Sequence, residues 1–520
     1  MKKKYSKYIF TALLTVFLVI GGILGLNKKG VVFSKTGEAF GEEISSDSLF
    51  PSAKSFAVYL MPYTRFGEYG DERFPDYSAE DVLDFWLSKH DLIITGYSPE
   101  DYKAQEPNRT ILSGTQNTVA GYYDYISDTF YWDGQFSQLY TWIQNNFEDY
   151  DWGFNSVDQA FEDCWLHLDE ESEPITFSFG HMDKYDTTHL DIQPYNSSDP
   201  TRSRIPGAWD ASGWLTNIKS EVYIDFWRDY YTEQMIVRHG ENVDGFFLDV
   251  LKWDQYNHFK TEEEFKNLKE FSSVEEYLSC LTNLTEMIQN KLHEKYPDKL
   301  LAANTWKDLD ENFEEPTFTF KDSVDVFYRE SSIDSVMNNE AFEKELKASI
   351  DASEEGKLVL RNHFLTDESD SLINISRITG LATYYLSMNN NTYFFSHPVV
   401  QNASKDPYNC WFDAIAYDIG KPDGDYYVFA EGQDSTGFDY KIFARNFTKA
   451  MVLVKPPRYG SNFFSSSRTS HALLGTFKAL DADGNLGPKI NEISLRNNEG
   501  AILLEADTTA PGIINDLTAK

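Results

Sequence analysis

The stretch Val243-Asp244-Gly245-Phe246-Phe247-Leu248-Asp249 is a short apolar run that ends on a carboxylate. An apolar run of this length is typical of a strand buried on both faces of a parallel sheet. A second run of the same kind, Val324–Glu330, also ends on an acid. Because an unpaired charge is costly inside a sheet, both runs predict strands whose C-terminal ends reach an open edge.

Similar runs recur along the chain and are separated by helical patterns. Ser273 and Glu276, for example, form a capping-box pattern before a helical apolar stripe. Strands that alternate with helices predict the α/β class, here a (β/α)8 TIM barrel enlarged by an insertion over residues 115–215. We expect Pro174–Gly180 to be a ninth strand, in a hairpin outside the barrel. The predicted barrel strands are Lys54–Leu60, Asp91–Tyr97, Thr110–Gly114, Val243–Asp249, Lys299–Asn304, Val324–Glu330, Lys357–His363 and Thr392–His397.

After residue 400 the pattern changes to short strands separated by turns. This change predicts a small all-β sandwich domain after the barrel, with a turn at Asp483-Gly484 between two of its strands. The expected strands are Tyr426–Ala430, Tyr440–Ala444, Met451–Val454, Thr476–Leu480, Ile493–Leu495 and Gly500–Glu505.

The N-terminal residues have the pattern of a targeting segment. Lysines flank an uninterrupted apolar run from Ile9 to Leu26, which predicts a secretory signal or a membrane anchor. We favour a single uncleaved anchor, because lysines on the N-terminal flank favour a start on the inner side of the membrane. Either an anchor or a cleaved signal places the rest of the chain outside the cytoplasm, anchored at the cell surface or secreted. The predicted organisation is an anchor over 1–30, a stalk over 31–52, the barrel over 53–400, the sandwich over 401–506 and a linker tail over 507–520.

The composition limits the partners. The 520 residues include 83 Asp and Glu but only 46 Lys and Arg, for a net charge of −37. A surface this acidic disfavours nucleic acid, which needs a basic face, and slightly favours a neutral or cationic glycan. The three cysteines, Cys164, Cys280 and Cys410, have neither metal-ligand nor disulfide-framework spacing, and we expect no cofactor or metal. The oligomeric state stays open.

The two acids at strand ends are the candidate catalytic residues. In a TIM barrel the C-terminal ends of the strands face the active site, which is where Asp249 and Glu330 would lie. A pair of carboxylates is what hydrolysis of a glycosidic bond requires, with one acid protonating the leaving oxygen and the other acting at the anomeric centre or on water. We predict that Asp249 is the nucleophile or base and that Glu330 is the general acid.

Aromatic and polar residues near the strand ends are the candidate substrate contacts. Sugar rings present flat C–H faces that stack on aromatic side chains, and polar side chains bind their hydroxyl groups. The predicted contacts are Tyr59, Tyr63, Trp253, Asn304, Trp306, Arg361 and His363.

Several stretches of the chain resemble glycoside hydrolase families known mainly from genome sequences, whose catalytic domain is a TIM barrel. Val243–Asp249 is the most specific of them; the others include Cys164–Asp169, Trp214–Asn217, Tyr417–Gly424 and Met451–Pro456. The resemblance implies a glycosidase-like barrel with Asp249 and Glu330 as its acid pair and an appended β-sandwich. The insertion before residue 215 matches nothing in these families, so the resemblance implies a reaction class but no substrate.

Two other functions remain open on the sequence. The first is a non-catalytic glycan-binding or cell-surface protein built on a glycosidase-like barrel. The second is a metal-dependent hydrolase, such as a polysaccharide deacetylase, in which the acids are ligands. The favoured prediction is an extracytoplasmic glycoside hydrolase that acts on a poly- or oligosaccharide.

Overall fold

The computed structural model describes thirteen ranges of the chain: residues 53–59, 79–95, 99–118, 122–124, 135–178, 189–205, 213–249, 265–304, 321–329, 339–364, 370–397, 410–456 and 467–506. The predicted anchor, stalk and linker tail lie outside these ranges, as do Tyr63, Trp253, Trp306 and Glu330. No helix within the ranges combines the length and apolar character needed to cross a bilayer.

The first part of the chain forms the predicted barrel. In chain order the strands are β1 (Phe56–Tyr59), β2 (Leu92–Thr95), β3 (Thr110–Thr118), β4 (Tyr122–Asp124), β5 (Ile175–Ser178), β6 (His189–Ile192), β7 (Gly213–Leu215), β8 (Gly245–Asp249), β9 (Leu300–Asn304), β10 (Val326–Arg329), β11 (Leu358–Phe364) and β12 (Thr392–His397). Eight of them form one parallel sheet in the order β1-β2-β3-β8-β9-β10-β11-β12.

The barrel closes between its first and last strands. The Phe394 backbone N–H donates to the Lys54 carbonyl at 2.9 Å, and Ser55 forms a parallel bridge with Phe394. Each of the eight predicted strands overlaps an observed one, and the (β/α)8 prediction is confirmed.

Aromatic rings fill the barrel interior. Phe247 and Tyr328 make an edge contact at 5.5 Å, and Phe56 contacts both Tyr328 at 5.9 Å and Phe395 at 5.5 Å. Successive strand residues point to opposite faces, so the neighbours of these rings face the helices. The alternation explains why the barrel strands are apolar throughout: one set of side chains fills the interior and the other packs under the helical layer.

Helices follow the barrel strands. They are α1 (Ala79–Lys89), α2 (Pro99–Gln105), α3 (Gln135–Asn146), α4 (Val157–Asp163), α5 (Glu221–Phe226), α6 (Thr232–His239), α7 (Val274–Lys295), α8 (Asn339–Glu354) and α9 (Asp370–Ser387), with a π-helical turn at Trp227–Tyr231 between α5 and α6. The predicted cap of α7 is present, since the Ser273 hydroxyl accepts from the Glu276 backbone N–H at 3.2 Å. The Glu276 carboxylate accepts in return from the N–H of Ser272, one residue before the cap.

Three aspartates brace the N-terminal edge of the barrel. Asp91, Asp244 and Asp325 each come directly before a strand, and each carboxylate accepts a backbone N–H from the neighbouring strand segment. The donors are Ser55 at 2.9 Å, Ile111 at 2.7 Å and Leu301 at 2.8 Å. These acids serve stability, because the edge that they occupy is opposite the edge where a TIM barrel carries its active site.

The insertion between β3 and β8 forms its own small layer against the barrel helices. It contains α3, α4 and two antiparallel pairs, β4 with β7 and β5 with β6. Trp142, Phe161 and Trp165 pack into the same apolar core as Phe226 of α5 and Leu281 of α7. The hairpin expected at Pro174–Gly180 is confirmed, since β5 pairs with β6 outside the barrel sheet.

The C-terminal residues form the predicted β domain. Its strands are β13 (Tyr427–Gln433), β14 (Asp439–Asn446), β15 (Ala450–Lys455), β16 (Arg468–Leu480), β17 (Leu486–Arg496) and β18 (Glu499–Glu505), in the antiparallel order β13-β14-β15-β18-β16-β17. The expected turn at Asp483-Gly484 joins β16 to β17, and Gly484 has a φ of +78°. The six strands form one hydrogen-bonded sheet, separate from the barrel sheet.

The two layers of this domain arise because the single sheet bends back over itself. The register of β16 shifts between Ala472 and Phe477, and the His471 ring contacts Tyr440 at 5.8 Å and Phe429 at 6.3 Å. The first half of β16 therefore lies over β14, although the two strands are not hydrogen-bonded neighbours. The other face of the sheet packs on α9, where Gly500 approaches so closely that a Cβ would lie 2.9 Å from that of Ala382.

Candidate active site

The strand order brings the C-terminal ends of β8 and β10 to one edge of the barrel. β8 ends at Asp249, β10 ends at Arg329 directly before Glu330, and a single strand, β9, lies between them. Neighbouring strands are about 4.8 Å apart, so the ends of β8 and β10 are separated by roughly 10 Å. Both ends are C-terminal ends of parallel strands and belong to the mouth of the barrel.

Buried neighbours fix the face to which each strand end turns. In β8, Phe246 and Leu248 pack under the helices, whereas Phe247 lies in the barrel interior. In β10, Tyr328 lies in the interior and Arg329 turns outward to helix α8. The alternation of a strand therefore assigns the position of Asp249 to the inner face.

Arg329 is held outward by a buried ion pair. Its Nη2 donates to Glu345 Oε2 at 2.6 Å and its Nε donates to Glu345 Oε1 at 3.0 Å. Both side chains are 2% exposed. A bidentate guanidinium–carboxylate pair is directional, so this contact sets the orientation of the last described residue before Glu330.

Asn304 lies on β9, between β8 and β10. It is the last residue of β9, is 3% exposed, and is paired in register with Tyr328. The alternation along β9 assigns it to the same face as Leu300 and Ala302, which line the interior. Asn304, a predicted substrate contact, therefore occupies an inner position at the C-terminal end of its strand.

A polar pair that the sequence did not predict lies beside Asn304. The Asn362 Nδ2 donates to the Tyr328 Oη at 2.9 Å, and both residues are buried on inner-face positions of neighbouring strands. A detectable signal was present, because both side chains carry polar groups at inner positions of strands that are otherwise apolar.

Strand β3 is irregular opposite Asp249. Its register with β8 shifts between Thr115 and Thr118, and Thr118 is the residue paired with Asp249. Irregularities of this kind bend a strand and are frequent beside active sites, where they redirect side chains.

Arg361 and His363 lie on the outer face of β11, which differs from the expected placement at the mouth. Arg361 donates to the hydroxyls of Ser349 and Ser387 on the two flanking helices, at 3.0 and 3.1 Å. His363 Nε2 lies 2.9 Å from the Ser376 hydroxyl. Burial lowers the pKa of Arg361 to about 10 and that of His363 to about 4. Both lie between the sheet and the helices, so we leave them out of the proposed site.

The remaining predicted contacts add little. Tyr59 is the last residue of β1 and so belongs to the same edge of the barrel. Within the described ranges, no group of three or more His, Cys, Asp and Glu side chains is arranged to hold a metal ion. Cys164, Cys280 and Cys410 are free thiols.

A second concave site, which the sequence did not predict, lies between the insertion and the barrel. This lateral cleft has a volume of about 390 Å³ and is lined by Trp152, Phe154, Asp163, Asn217, Lys219, Ser220, Glu221, Lys269 and Glu270. Its residues come from three segments that are far apart in the sequence, so no local motif marks it.

A buried histidine supports the lateral cleft. His167 Nδ1 lies 2.7 Å from Glu270 Oε1, and its Nε2 lies 2.9 Å from Glu162 Oε1. Burial opposes a charge on His167, but the hydrogen bonds to the two glutamates outweigh it and raise the pKa of the imidazole. Burial likewise acts to raise the pKa of Glu162, but Arg204 and His167 lower it to about 2. The network fixes Glu270, a wall of the cleft, to the insertion.

The chain resembles known proteins in structure. No protein-family model matches the chain, and no curated protein sequence matches it. Similar solved structures include Amy13B of Eubacterium rectale (10% identity, 88% of this chain and 96% of that one, TM-score 0.41) and a variant of isomaltulose synthase from Erwinia rhapontici (10%, 88% and 99%, 0.42). The glycoside hydrolase domain of PelA from Pseudomonas aeruginosa is also similar (10%, 70% and 96%, 0.32). The fold assignment follows from the strand order and register.

Proposed function

We propose that this chain is a glycoside hydrolase that cleaves a poly- or oligosaccharide with Asp249 and Glu330. The observation that supports it best is the position of two strands: β8, which ends at Asp249, and β10, which ends one residue before Glu330, flank β9 in a closed parallel barrel. Asp249 holds an inner position of β8, and we expect Glu330, the residue after β10, to turn to the same face, so that the two acids meet across the mouth.

The strand spacing suits the chemistry. Two carboxyl groups about 5–5.5 Å apart suit a retaining mechanism, and about 6.5–9.5 Å an inverting one with water between them. Strand ends roughly 10 Å apart allow either, because the side chains lean across the interior. In either mechanism Glu330 protonates the leaving oxygen, and Asp249 attacks the anomeric carbon or activates water.

The charge states follow from the same arrangement. A carboxyl group close to a second carboxylate resists ionisation, so the charge of Asp249 keeps Glu330 protonated near neutral pH. Asn304, between the two strands, is placed to bind a hydroxyl of the sugar. The buried Arg329–Glu345 pair holds β10 in the orientation that this role needs.

We also propose that the enzyme works outside the cytoplasm. The support is the apolar run from Ile9 to Leu26 with its flanking lysines, which fits a single anchor. Fusing a reporter after residue 52 and testing its accessibility to protease on intact cells checks this placement; a protected reporter would contradict it.

Kinetics of acid variants test the proposal. Purified chain is assayed for new reducing ends on a panel of neutral and amino-sugar polysaccharides, and the substrate with the highest rate is then used with Asp249→Asn and Glu330→Gln. Each variant is expected to lose about 10²–10⁴-fold in rate. Asp244→Asn, at the other end of β8, is the matched control and keeps its rate per folded molecule. Full activity in both acid variants would overturn the assignment.

A further inference from the structure

The lateral cleft has one aromatic wall that is held rigid. The Trp152 indole N–H donates to Asp225 Oδ2 at 2.9 Å, and the indole ring stacks on Tyr150 with centroids 4.8 Å apart and planes 13° from parallel. Trp142 packs against the same ring at 5.7 Å. Trp152 is nevertheless only half-buried. A large ring fixed in this way binds a flat ligand face without losing side-chain freedom.

The rest of the cleft is polar and supplies both donors and acceptors. Asp163 and Glu270 contribute carboxylates, Asn217 an amide, and Lys219 and Lys269 amines. Several of these groups are fixed: Glu270 by His167, and Asn217 by its donation to the Asp163 carbonyl at 2.8 Å. An aromatic wall beside closely spaced donors and acceptors is the arrangement that a sugar ring needs, with its C–H face on the ring and its hydroxyls on the polar groups.

The charge of the lining selects among sugars. The lining has three acids, Asp163, Glu221 and Glu270, and two amines, Lys219 and Lys269. A slight excess of negative charge disfavours uronic acids and other anionic sugars. A neutral sugar unit fits best.

The topology places the lateral cleft on the same side of the barrel as the mouth. α6 ends at His239 shortly before β8 begins, and α7 ends at Lys295 shortly before β9 begins. The start of each helical segment therefore lies beside the C-terminal edge of the strands. Ser220, which lines the cleft, is the N-cap of α5, and Glu270, which also lines it, lies four residues before Val274, the first residue of α7.

We propose that the lateral cleft binds a neutral sugar unit of the glycan chain that the barrel mouth cleaves, with Trp152 as its stacking platform. The inference deepens the proposed function and rests on it for the identity of the chain. It also gives the insertion a role: the insertion supplies Trp152, Phe154 and Asp163, and so adds a binding subsite to the barrel.

The test separates binding from turnover. Full-length chain carrying Asp249→Asn and Glu330→Gln is screened on an array of neutral and anionic oligosaccharides, and the affinity for the strongest neutral hit is measured by titration. Adding Trp152→Ala is expected to weaken this binding about tenfold or more, as truncation of an aromatic anchor does. Trp152→Phe should keep most of the affinity, and Trp411→Ala, a half-buried tryptophan outside the cleft, should keep all of it.

Further variants keep the test decisive. Lys269 is exposed, so Lys269→Ala tests the cleft even where Trp152→Ala fails to fold, and it should weaken binding about threefold, a modest contact loss. Unchanged affinity in Trp152→Ala and Lys269→Ala, no neutral hit, or a preference for anionic sugars would each overturn the inference. Loss of binding in Trp152→Ala with no hydrolysis by the wild-type chain would refute the proposed function alone. Hydrolysis that depends on Asp249, with binding unaffected by Trp152→Ala, would refute the cleft alone.

Discussion

Arg329 and Glu345 form a bidentate ion pair inside the molecule, with 2.6 Å between Nη2 and Oε2 and 2% exposure of each side chain. The pair joins the C-terminal end of β10 to α8 and turns Arg329 away from the barrel. Because the side chains of a strand alternate, the same contact is consistent with Tyr328, the preceding residue, lying in the barrel interior.

Removing one member of the Arg329–Glu345 pair should strongly lower the free energy of unfolding. Glu345→Ala leaves Arg329 buried without its counter-ion, with Arg361 as a second buried cation on the neighbouring strand. The free energy of unfolding should fall by about 3–5 kcal/mol. Glu340→Ala, which breaks an exposed pair with Lys344 on the same helix, should change it by less than about 1 kcal/mol. Denaturant titration measures both. Equal effects of the two variants would mean that the buried pair does not orient β10.

Substitutions at the two ends of β10 should have opposite effects on stability and on the rate of turnover. Asp325, before the strand, accepts the Leu301 backbone N–H and an N–H of the Gln289 amide. Asp325→Asn should lower the free energy of unfolding by about 1–3 kcal/mol and leave the rate per folded molecule unchanged. Glu330→Gln should lower the rate by about 10²–10⁴-fold with little effect on stability. Thermal melts beside kinetics measure the split; lost turnover in folded Asp325→Asn would contradict it.

Acid should weaken the fold through His363. Burial lowers the pKa of this histidine to about 4, against about 6.5 in the unfolded chain. Between these values the unfolded chain binds a proton that the folded one does not, so stability falls as the pH drops from about 6.5 to 4. His363→Gln should flatten this part of the pH profile of the unfolding free energy. An unchanged slope in the variant would show that another group, such as the buried His90, causes it.

The contribution of His167 to stability should depend on pH in the opposite direction from that of His363. Its pKa is raised because the hydrogen bonds to Glu162 and Glu270 outweigh burial. Its contribution to stability is complete below the unfolded value of about 6.5 and is lost as the pH rises through the raised, folded value. His167→Gln should therefore destabilise the chain more at pH 6 than at pH 9. Histidine NMR titration gives the folded pKa, and a value below 6.5 would contradict the account.

The sequence predicted the barrel because parallel strands buried on both faces leave apolar runs. Val243–Asp249 and Thr392–His397 were located almost to the residue for this reason. The first half of β16 was missed, since Arg468–His471 is largely polar and belongs to a strand only because the sheet folds over β14.

The site was less predictable, because the local sequence does not determine which face of the barrel a side chain at a strand end occupies. Arg361 and His363 look like residues of the mouth, yet closure of the sheet turns both toward Ser349 and Ser376 in the helical layer. The lateral cleft is built from segments around Trp152, Asn217 and Lys269, which only the tertiary fold brings together.

The measurement that tests the central claim most directly is the distance between the carboxyl carbons of Asp249 and Glu330 in a crystal structure of the chain. The account predicts a separation of about 5–9.5 Å across an open mouth, with the exact value distinguishing retention from inversion. A larger separation, or two side chains that point into different cavities, would contradict it.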